Sequence, residues 1–524
     1  MEKKQGDMGE DNILNVHPRP QMKRDSFINL NGYWDYAVTK EDGIPDVYDG
    51  KILVPFSPES KMSGVGRTIN SDDILWYHRE LRMEKEIENG HLLLHFGAID
   101  QEAWVYINGF QAAHHMGGYL GFAVDITGYV SADNDIYVKV RDLHGNGKCS
   151  VGGQVSDKTY FSGIWQTVWL EEVPEHYIKS VQLVPVFDEC SIELTVLSDS
   201  NYLCKARIDD KEVVFESNRR VVISLENVTE WTPEYPYLYT VKIEMLDDKV
   251  QSYFGMRKIS IGQDENGIQK IFLNNRPYFC NGICDEGYHG AAGYTPMSDR
   301  AMVYDIYSAK KMGFNTIRKH LKIEPLRWYY QCDRMGILVW QDILTGALME
   351  YEIAGMLKLL GNCTCVVAWI APEQRFGEYD SVNACRSLMS KDRTRIINMS
   401  SYNKKNTNGD IKSVFSANIL NFGNIDIKDK NKRAAVVMDA GRYECYIRKE
   451  HAHELIKKMT SKYSDLYTGK IWKAYRKGLS GVIFNYLSDS REHFCGIFTK
   501  DRKLAKYNRS VIRMINSNYN RNDV

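Results

Sequence analysis

Two stretches, Gly313-Phe-Asn-Thr-Ile-Arg-Lys-His320 and Gly336-Ile-Leu-Val-Trp-Gln-Asp342, decide the fold of the second half of the chain. Each begins with glycine, continues as a short run with apolar residues and ends in charged side chains. Short apolar runs bounded by turn residues are typical of strands buried in a parallel sheet. Because the segment between the two stretches, residues 321–335, is long enough for a helix, together they predict a strand, helix, strand unit.

The same alternation of short strands and helical segments continues from Lys270 onward. A helix is predicted over Ser298 to Met312, with Ser298-Asp299 as its cap and Gly313 as its stop signal. Eight strands within about 250 residues are typical of a (β/α)8 barrel. The predicted strands are Tyr278–Ile283, Thr316–His320, Ile337–Gln341, Val366–Ile370, Arg395–Met399, Lys412–Ser416, Ala434–Met438 and Gly481–Asn485.

The chain before Lys270 has the two-residue periodicity of β-strands instead. From Leu30 to about Val173, short alternating apolar runs such as Ala103–Ile107 are broken by glycine, asparagine and aspartate. The pair Asn108-Gly109 indicates a tight hairpin, because a type I′ turn requires positive φ at both central residues. This region predicts a β-sandwich of the jelly-roll type.

A second all-β region runs from Tyr177 to about Ile261. About 85 residues of this kind suit an immunoglobulin-like sandwich. Cys190 and Cys204 lie too irregularly to form its inter-sheet bridge. The predicted strands are Ser180–Val186, Ser191–Val196, Glu212–Glu216, Val221–Leu225 and Leu238–Met245.

The chain of 524 residues is too long for one hydrophobic core, so several domains are expected. The prediction is a multidomain β and α/β protein, divided into an N-terminal tail (1–24), a jelly-roll β-sandwich (25–176), an immunoglobulin-like β-sandwich (177–262) and a (β/α)8 TIM barrel (263–524).

The composition of the chain limits which partners and which cellular compartment are expected. With 67 basic and 68 acidic residues the net charge is −1, which provides no field to attract nucleic acid. No apolar run approaches the roughly 18 residues of a membrane span, and the first residues lack a secretory signal, so a cytoplasmic location is predicted. The cysteines are interpreted as reduced core residues. No metal or cofactor is expected, since the pair Cys363 and Cys365 has no further ligands at matching spacing.

Charged side chains follow the predicted barrel strands, where the active sites of such barrels are found. A ring of carboxylates with cations and aromatic residues suits glycoside hydrolysis, with retention if two carboxyl groups lie about 5 to 5.5 Å apart. Taken singly, each residue is also compatible with a helix cap or a solvated loop charge. The charged or polar residues are Asp285, Glu286, Arg318, His320, Asp342, Glu373, Gln374 and Asp439, and the aromatic ones are Tyr288, Trp340 and Trp369.

Several motifs, in the same order, resemble glycoside hydrolase family 2, the β-galactosidase and β-glucuronidase group. They are Leu30-Asn-Gly-Tyr-Trp34, Phe161-Ser-Gly-Ile-Trp165, Trp231-Thr-Pro-Glu-Tyr-Pro236, Tyr253-Phe-Gly-Met-Arg257, Phe272-Leu-Asn-Asn-Arg-Pro277 and the two stretches quoted first. The resemblance covers about residues 25 to 510 and implies the same three-module plan. It also implies that the matching residues contact sugar; these are Asp285, Arg318, His320, Asp342 and Trp369.

The fourth barrel strand departs from the family pattern. Family members end this strand with an Asn-Glu pair whose glutamate is the general acid/base, and the resemblance places Glu373 on the asparagine and Gln374 on the glutamate. A glutamine amide has no titratable proton to donate to a leaving oxygen. A slip of one residue would restore Glu373 as the acid, but neighbouring strand residues point to opposite faces.

The nucleophile position is also changed. The family carries Glu followed by Phe or Tyr and two glycines after the seventh strand, where this chain reads Val437-Met-Asp-Ala-Gly441. Asp439 keeps the charge but is one methylene shorter, which withdraws the carboxylate by roughly 1.5 Å. A displacement of about 1 Å can reduce the rate about a hundredfold.

Three hypotheses follow. The first is a family 2 glycosidase-like protein that acts on or binds β-linked glycosides, with retaining hydrolysis weak or lost. The second is a carbohydrate-binding or assembly scaffold without chemistry. The third is an active β-glycosidase with Glu373 as the acid and Asp439 as the nucleophile. In all three the partner is a carbohydrate, and a homo-oligomer is an open alternative.

Overall fold

A computed structural model describes residues 14–84, 87, 89–143, 160–344, 349–371, 381–399, 408–415, 429–430, 432–441, 452–490 and 494–517. Two antiparallel sandwiches precede a parallel barrel, and a hydrophobic core occupies each of the three units. The predicted fold class is confirmed.

The first sandwich packs a four-stranded sheet, in the order β1-β12-β5-β9, on a six-stranded sheet, in the order β3-β2-β4-β10-β7-β8. The predicted hairpin joins β7 to β8, with Asn108 at φ +52° and Gly109 at φ +83°. Its strands are β1 (Phe27–Asn29), β2 (Gly32–Thr39), β3 (Gly50–Val54), β4 (Ile74–Arg82), β5 (His91–Phe96), β6 (Ile99–Asp100), β7 (Glu102–Ile107), β8 (Phe110–Met116), β9 (Phe122–Asp125), β10 (Asp133–Arg141), β11 (Gly163–Ile164) and β12 (Val168–Val173).

The second sandwich packs three strands (β13-β14-β17) on four (β16-β15-β18-β19). Cys190 and Cys204 are free thiols, as the sequence indicated. A three-stranded sheet then leads into the barrel. These strands are β13 (Ser180–Val186), β14 (Ser191–Leu197), β15 (Leu203–Ile208), β16 (Lys211–Glu216), β17 (Arg220–Ser224), β18 (Tyr239–Met245), β19 (Asp248–Phe254), β20 (Ile259–Gln263), β21 (Gln269–Leu273) and β22 (Arg276–Pro277).

The barrel contains the eight predicted strands, all parallel, and none of their ends moves by more than two residues. The ladder is interrupted between β27 and β28, where the backbone N–H of Asp410 donates to the Ile397 carbonyl at 2.7 Å. The barrel is therefore nearly closed. Its strands are β23 (Cys280–Asp285), β24 (Thr316–Lys319), β25 (Leu338–Asp342), β26 (Val366–Ala371), β27 (Ile396–Met399), β28 (Ile411–Phe415), β29 (Ala434–Ala440) and β30 (Gly481–Phe484).

Helices surround the barrel strands. The predicted helix begins where expected, since the Ser298 hydroxyl accepts from the Ala301 N–H at 3.1 Å, and it ends before Gly313 at φ +82°. Within the described ranges, no helix has both the length and the apolar character required to cross a bilayer. The helices are α1 (Asp299–Lys311), α2 (Leu326–Met335), α3 (Met349–Leu360), α4 (Ser381–Lys391), α5 (Ala452–Leu466), α6 (Trp472–Tyr475) and α7 (Arg509–Ser517), with a π-helical turn (Tyr467–Ile471) between α5 and α6.

The segment 14–24, assigned to a tail from sequence, packs between the two sandwiches. Met22 lies in the core of the second sandwich. The Arg24 guanidinium donates to Glu171 at 3.3 Å and to Asp248 at 2.9 Å, which belong to the first and second sandwich respectively. Burial alone would raise the pKa of Glu171, but Arg19 and two histidines outweigh burial and hold this pKa well below its usual range. The Arg24 guanidinium thus joins this segment to both sandwiches through the ionised Glu171 of the first and Asp248 of the second.

Candidate active site

The ends of the barrel strands carry charged side chains on both faces of the strand layer. Successive residues of a strand point to opposite faces. On β24, Arg318 points into the barrel, where it contacts Asp342 and Asp439, whereas Lys319 points outward and lies 4.3 Å from the ring of Trp328 on α2. The two faces therefore hold two separate clusters of charge.

The inward cluster is centred on Arg318. Its Nε and Nη2 both donate to the Asp342 carboxylate at 2.9 Å, and its Nη1 donates to Asp439 Oδ1 at 3.2 Å. His320 Nδ1 lies 2.6 Å from the same Asp342 carboxylate. The side chains of Arg318 and Asp342 are 3% and 4% exposed, while that of Asp439 is 25% exposed. Of the two carboxylates bound by Arg318, that of Asp439 is thus the more open to a ligand.

The charged side chains of the inward cluster stabilise one another in their ionised forms. Burial would lower the pKa of Arg318 and raise that of Asp342, but their mutual attraction outweighs burial, so the pKa of Arg318 is raised and that of Asp342 is lowered. For His320, burial lowers the pKa, and the Asp342 charge and hydrogen bond more than compensate, so that the pKa is raised above 6.5. The cluster favours a protonated imidazole beside an ionised carboxylate.

We expect the NMR titration of the His320 ring to have a midpoint above 6.5, and Asp342→Asn to move it below 6.5, because burial then dominates. Because the pKa of His320 is raised in the folded state, protonation of its ring stabilises the fold. This stabilisation is fully present below about pH 6.5 and is lost as pH rises through the pKa of the folded state. The stability difference between the native chain and His320→Gln should shrink over that range. His95, with a pKa lowered to about 4 mainly by burial, provides an internal control that stays neutral. An unchanged His320 midpoint in Asp342→Asn would contradict the assignment.

A distortion of β29 positions Asp439. The register of β29 against β30 shifts between Val437 and Ala440, and Asp439 has φ +54°. Aspartate is among the few residue types that adopt this left-handed conformation at modest cost. Gly441, at φ +78°, lies against the Phe484 ring, where a Cβ would come within 2.2 Å. The irregular strand end therefore turns the Asp439 carboxylate toward Arg318.

The outward cluster contains Asp285, which the resemblance assigned to sugar binding. Its carboxylate accepts from Lys319 and from the Gly287 N–H, and the side chain is 2% exposed. Lys319 and Lys322 both donate to Glu324 Oε1, at 2.8 and 3.0 Å. All of these charges are buried and paired. In this arrangement Asp285 supports the strand ends from outside the barrel.

Trp369, also assigned to sugar binding, is fully buried. It lies beside Gln341 on the outward face of β25 and β26. Its indole Nε1 donates to Asp392 at 2.8 Å, and the Arg395 guanidinium lies 5.6 Å from its ring. The structure thus directs Trp369 toward the helix layer, away from Arg318. Glu373 and Gln374, the residues assigned to the acid position, lie outside the described residues.

Two further residues belong to the inward cluster. Glu286 follows β23 and Tyr486 follows β30, and both are half-buried. Burial, together with the charges of Glu286 and Asp439, raises the pKa of Tyr486 well above 10. Tyr486 was missed from sequence, although its place two residues after the eighth strand was an available signal.

Across the described part of the chain, no three His, Cys, Asp or Glu side chains gather as a metal site would require.

Two family profiles of glycoside hydrolases match the two β-sandwiches that precede the barrel. Residues 63–174 match the family profile "Glycosyl hydrolases family 2, sugar binding domain", and residues 177–257 match "Glycosyl hydrolases family 2". These two matches identify residues 63–174 and 177–257 as domains of glycoside hydrolase family 2.

Individual relatives agree with this assignment. A Formosa agariphila protein, provisionally named a beta-glucuronidase, is 30% identical over 51% of this chain and 34% of its own length. The beta-galactosidase of Thermoanaerobacter pseudethanolicus is 26% identical over 52% of this chain and 39% of its own length. This chain therefore matches less than half the length of these relatives. A beta-glucuronidase structure from an uncultured Clostridium has the same fold, with a TM-score of 0.75 at 17% identity over 95% of this chain and 99% of that one.

Proposed function

We propose that this chain binds β-linked glycosides at the mouth of its barrel and that its retaining hydrolysis is weak or lost. The observation that carries the proposal is the inward cluster, in which Arg318 holds Asp342 and Asp439 together at the strand ends. Supporting it, two domains of the chain match profiles of glycoside hydrolase family 2, and similar proteins are named beta-glucuronidase and beta-galactosidase.

The cluster has the groups that sugar recognition requires. Sugar hydroxyls both donate and accept, so they suit a site that combines carboxylates with N–H donors. Asp439 has the more exposed of the two carboxylates bound by Arg318, and His320 is 17% exposed. Since Asp342 is held by Arg318 and His320, the donors and acceptors are fixed before a ligand arrives. Such preorganisation reduces the entropy lost on binding.

The residues at the two catalytic positions should impair hydrolysis more than they impair sugar binding. Retaining hydrolysis requires one carboxylic acid to protonate the leaving oxygen and one carboxylate to attack. Gln374 has no proton to give, and Asp439 is shorter than the glutamate of the family. Loss of a general acid typically reduces the rate by about 10² to 10⁴. Together the two changes favour binding over turnover.

The test combines turnover and affinity. We expect little hydrolysis of a panel of alkyl β-glycosides (galactoside, glucuronide, galacturonide) by the native chain, because their poor leaving groups require a proton from a general acid. Calorimetry should detect binding of at least one of the free sugars, and His320→Gln should weaken it. Glu244 and Asp247 are exposed on the second sandwich, so Glu244→Ala/Asp247→Ala is a control that should change neither property.

The outcomes separate the three hypotheses. Unchanged sugar affinity in Glu373→Ala/Asp439→Ala, without turnover in any variant, supports a binding scaffold. Robust hydrolysis that disappears on substitution of Glu373 or Asp439 would establish an active β-glycosidase and overturn the proposal. Absence of binding to every sugar tested would overturn it as well.

A further inference from the structure

A cavity of about 550 Å³ lies between the second sandwich and the barrel, away from the Arg318 cluster. Its wall comes from β13, from the chain between β19 and β20, from the end of α3 and from the segment that joins α4 to β27. A volume of this size is typical of sites that bind small molecules. The half-buried apolar residues of the wall are Val184, Val186, Phe187 and Leu357.

The wall of this cavity is strongly cationic. Six of its side chains are basic and two are acidic, which gives the wall a formal charge of +4 in a chain whose net charge is −1. A concave wall with charge of one sign concentrates the electric field and attracts ligands of the opposite sign. The basic residues are Arg257, Lys258, Lys358, Lys391, Arg393 and Arg395, and the acidic ones are Asp188 and Asp392.

Two of the basic residues, Arg257 and Arg395, are buried side by side. The Val366 carbonyl accepts from Arg257 Nη2 at 2.7 Å and from Arg395 Nε at 2.8 Å. Among the described residues, one carboxylate lies within ion-pair distance of these two guanidinium groups, that of Asp392, which accepts from Arg395 at 3.0 Å. Burial, followed by the charge of Arg395, lowers the pKa of Arg257 to about 9. The buried charges beside the cavity therefore have an excess of one cation.

Two further cations, Lys358 and Arg393, are exposed at the cavity. No carboxylate of the described ranges lies within ion-pair distance of either side chain, whereas Lys258 and Lys391 are each paired with a carboxylate. Ammonium and guanidinium groups form strong hydrogen bonds with phosphate and carboxylate oxygens. Because Lys358 and Arg393 are exposed and unpaired, they can contact a ligand directly.

We propose that this cavity binds a small organic anion that carries two or more phosphate or carboxylate groups. Lys358 and Arg393 contact the charged groups, and the excess charge of the buried arginine pair attracts them without direct contact. The apolar residues of the wall pack against the carbon skeleton. A neutral sugar would leave the charge of the wall unchanged, and a monovalent anion would neutralise little of it. The site is separate from the proposed glycoside site, so neither proposal depends on the other.

The exposed cations allow a selective test. Neither Lys358 nor Arg393 belongs to a hydrophobic core, so Lys358→Ala/Arg393→Ala should fold like the native chain. The matched control is Lys242→Ala/Arg300→Ala. It also removes one exposed lysine and one exposed arginine, which do not line the cavity and form no ion pair with a described carboxylate.

Calorimetry on the full chain at low ionic strength, with inorganic pyrophosphate, citrate and acetate as probes, tests the proposal. We expect one saturable site with a Kd below about 1 mM for pyrophosphate, citrate or both, and at least tenfold weaker binding of acetate. The tighter of the two polyvalent probes identifies phosphate or carboxylate as the preferred group. Affinity should fall at least tenfold in Lys358→Ala/Arg393→Ala, because each lost hydrogen bond between charged groups is typically equivalent to about tenfold or more. The control variant should bind like the native chain.

Four outcomes would overturn the proposal. They are the absence of saturable binding of both polyvalent probes, unchanged affinity in Lys358→Ala/Arg393→Ala, an equal loss of affinity in the control variant, and acetate binding as tight as that of citrate.

Discussion

Replacing Gln374 with glutamate is expected to increase kcat/KM on β-glycosides with poor leaving groups by about 10² to 10⁴, because it restores a proton donor to the leaving oxygen. On nitrophenyl glycosides the gain should be much smaller, since this leaving group departs without protonation. The contrast between the two substrate types distinguishes a restored acid from a general improvement in binding.

The carboxylate at the nucleophile position, Asp439, can be tested in the Gln374→Glu variant. Adding Asp439→Glu should increase the rate by up to about a further hundredfold by extending the carboxylate toward the sugar. The gain will be reduced because Asp439 has φ +54°, a conformation that glutamate adopts less readily than aspartate. Arg318 should remain the partner of the longer carboxylate.

Glu373→Gln in the Gln374→Glu background is the control for the acid, and it should have little effect. Loss of turnover on Glu373→Gln, in either background, would show that Glu373 is the proton donor. A Gln374→Glu variant that is no faster than the native chain on both substrate types would contradict the assignment of position 374.

The substitution with the largest expected effect on stability is Arg318→Ala. It leaves Asp342 and Asp439 without their shared cation, and removing one partner of a buried ion pair typically costs about 3 to 5 kcal/mol. For a domain of the size of the barrel this corresponds to a decrease in melting temperature of roughly 10 °C. Scanning calorimetry with assignment of the barrel transition would measure it.

Two features make this stability prediction specific. The pKa of Asp342 is lowered in the fold, so its contribution is present above its unfolded pKa and is lost as pH falls through the folded value. The penalty of Arg318→Ala should therefore shrink toward acidic pH. The control is Arg276→Ala, which removes a 71% exposed arginine paired with Glu230 and should cost no more than about 1 kcal/mol. Equal penalties for the two variants, or a penalty independent of pH, would contradict a buried ion pair.

The fold could be predicted from the sequence because the signals for each strand, turn and helix cap lie in neighbouring residues. Each barrel strand is a short apolar run bounded by turn residues, and the structure places each of the eight within two residues of its prediction. The hairpin at Asn108-Gly109 and the cap at Ser298 are likewise set by backbone requirements of neighbouring residues. The segment 14–24 carried no such signal, because its burial depends on partners such as Asp248 that are distant in the chain.

The sequence also determined which residues stand at the strand ends. The family resemblance named Asp285, Arg318, His320, Asp342 and Trp369 as sugar contacts and placed Asp439 at the nucleophile position. Only the tertiary structure decided which face each side chain occupies. Asp285 pairs in register with Lys319 and points outward with it, while Arg318, one residue earlier, points inward. A shift of one residue exchanges the two faces of a strand, and that register is set by contacts with neighbouring strands and helices rather than by the strand's own sequence.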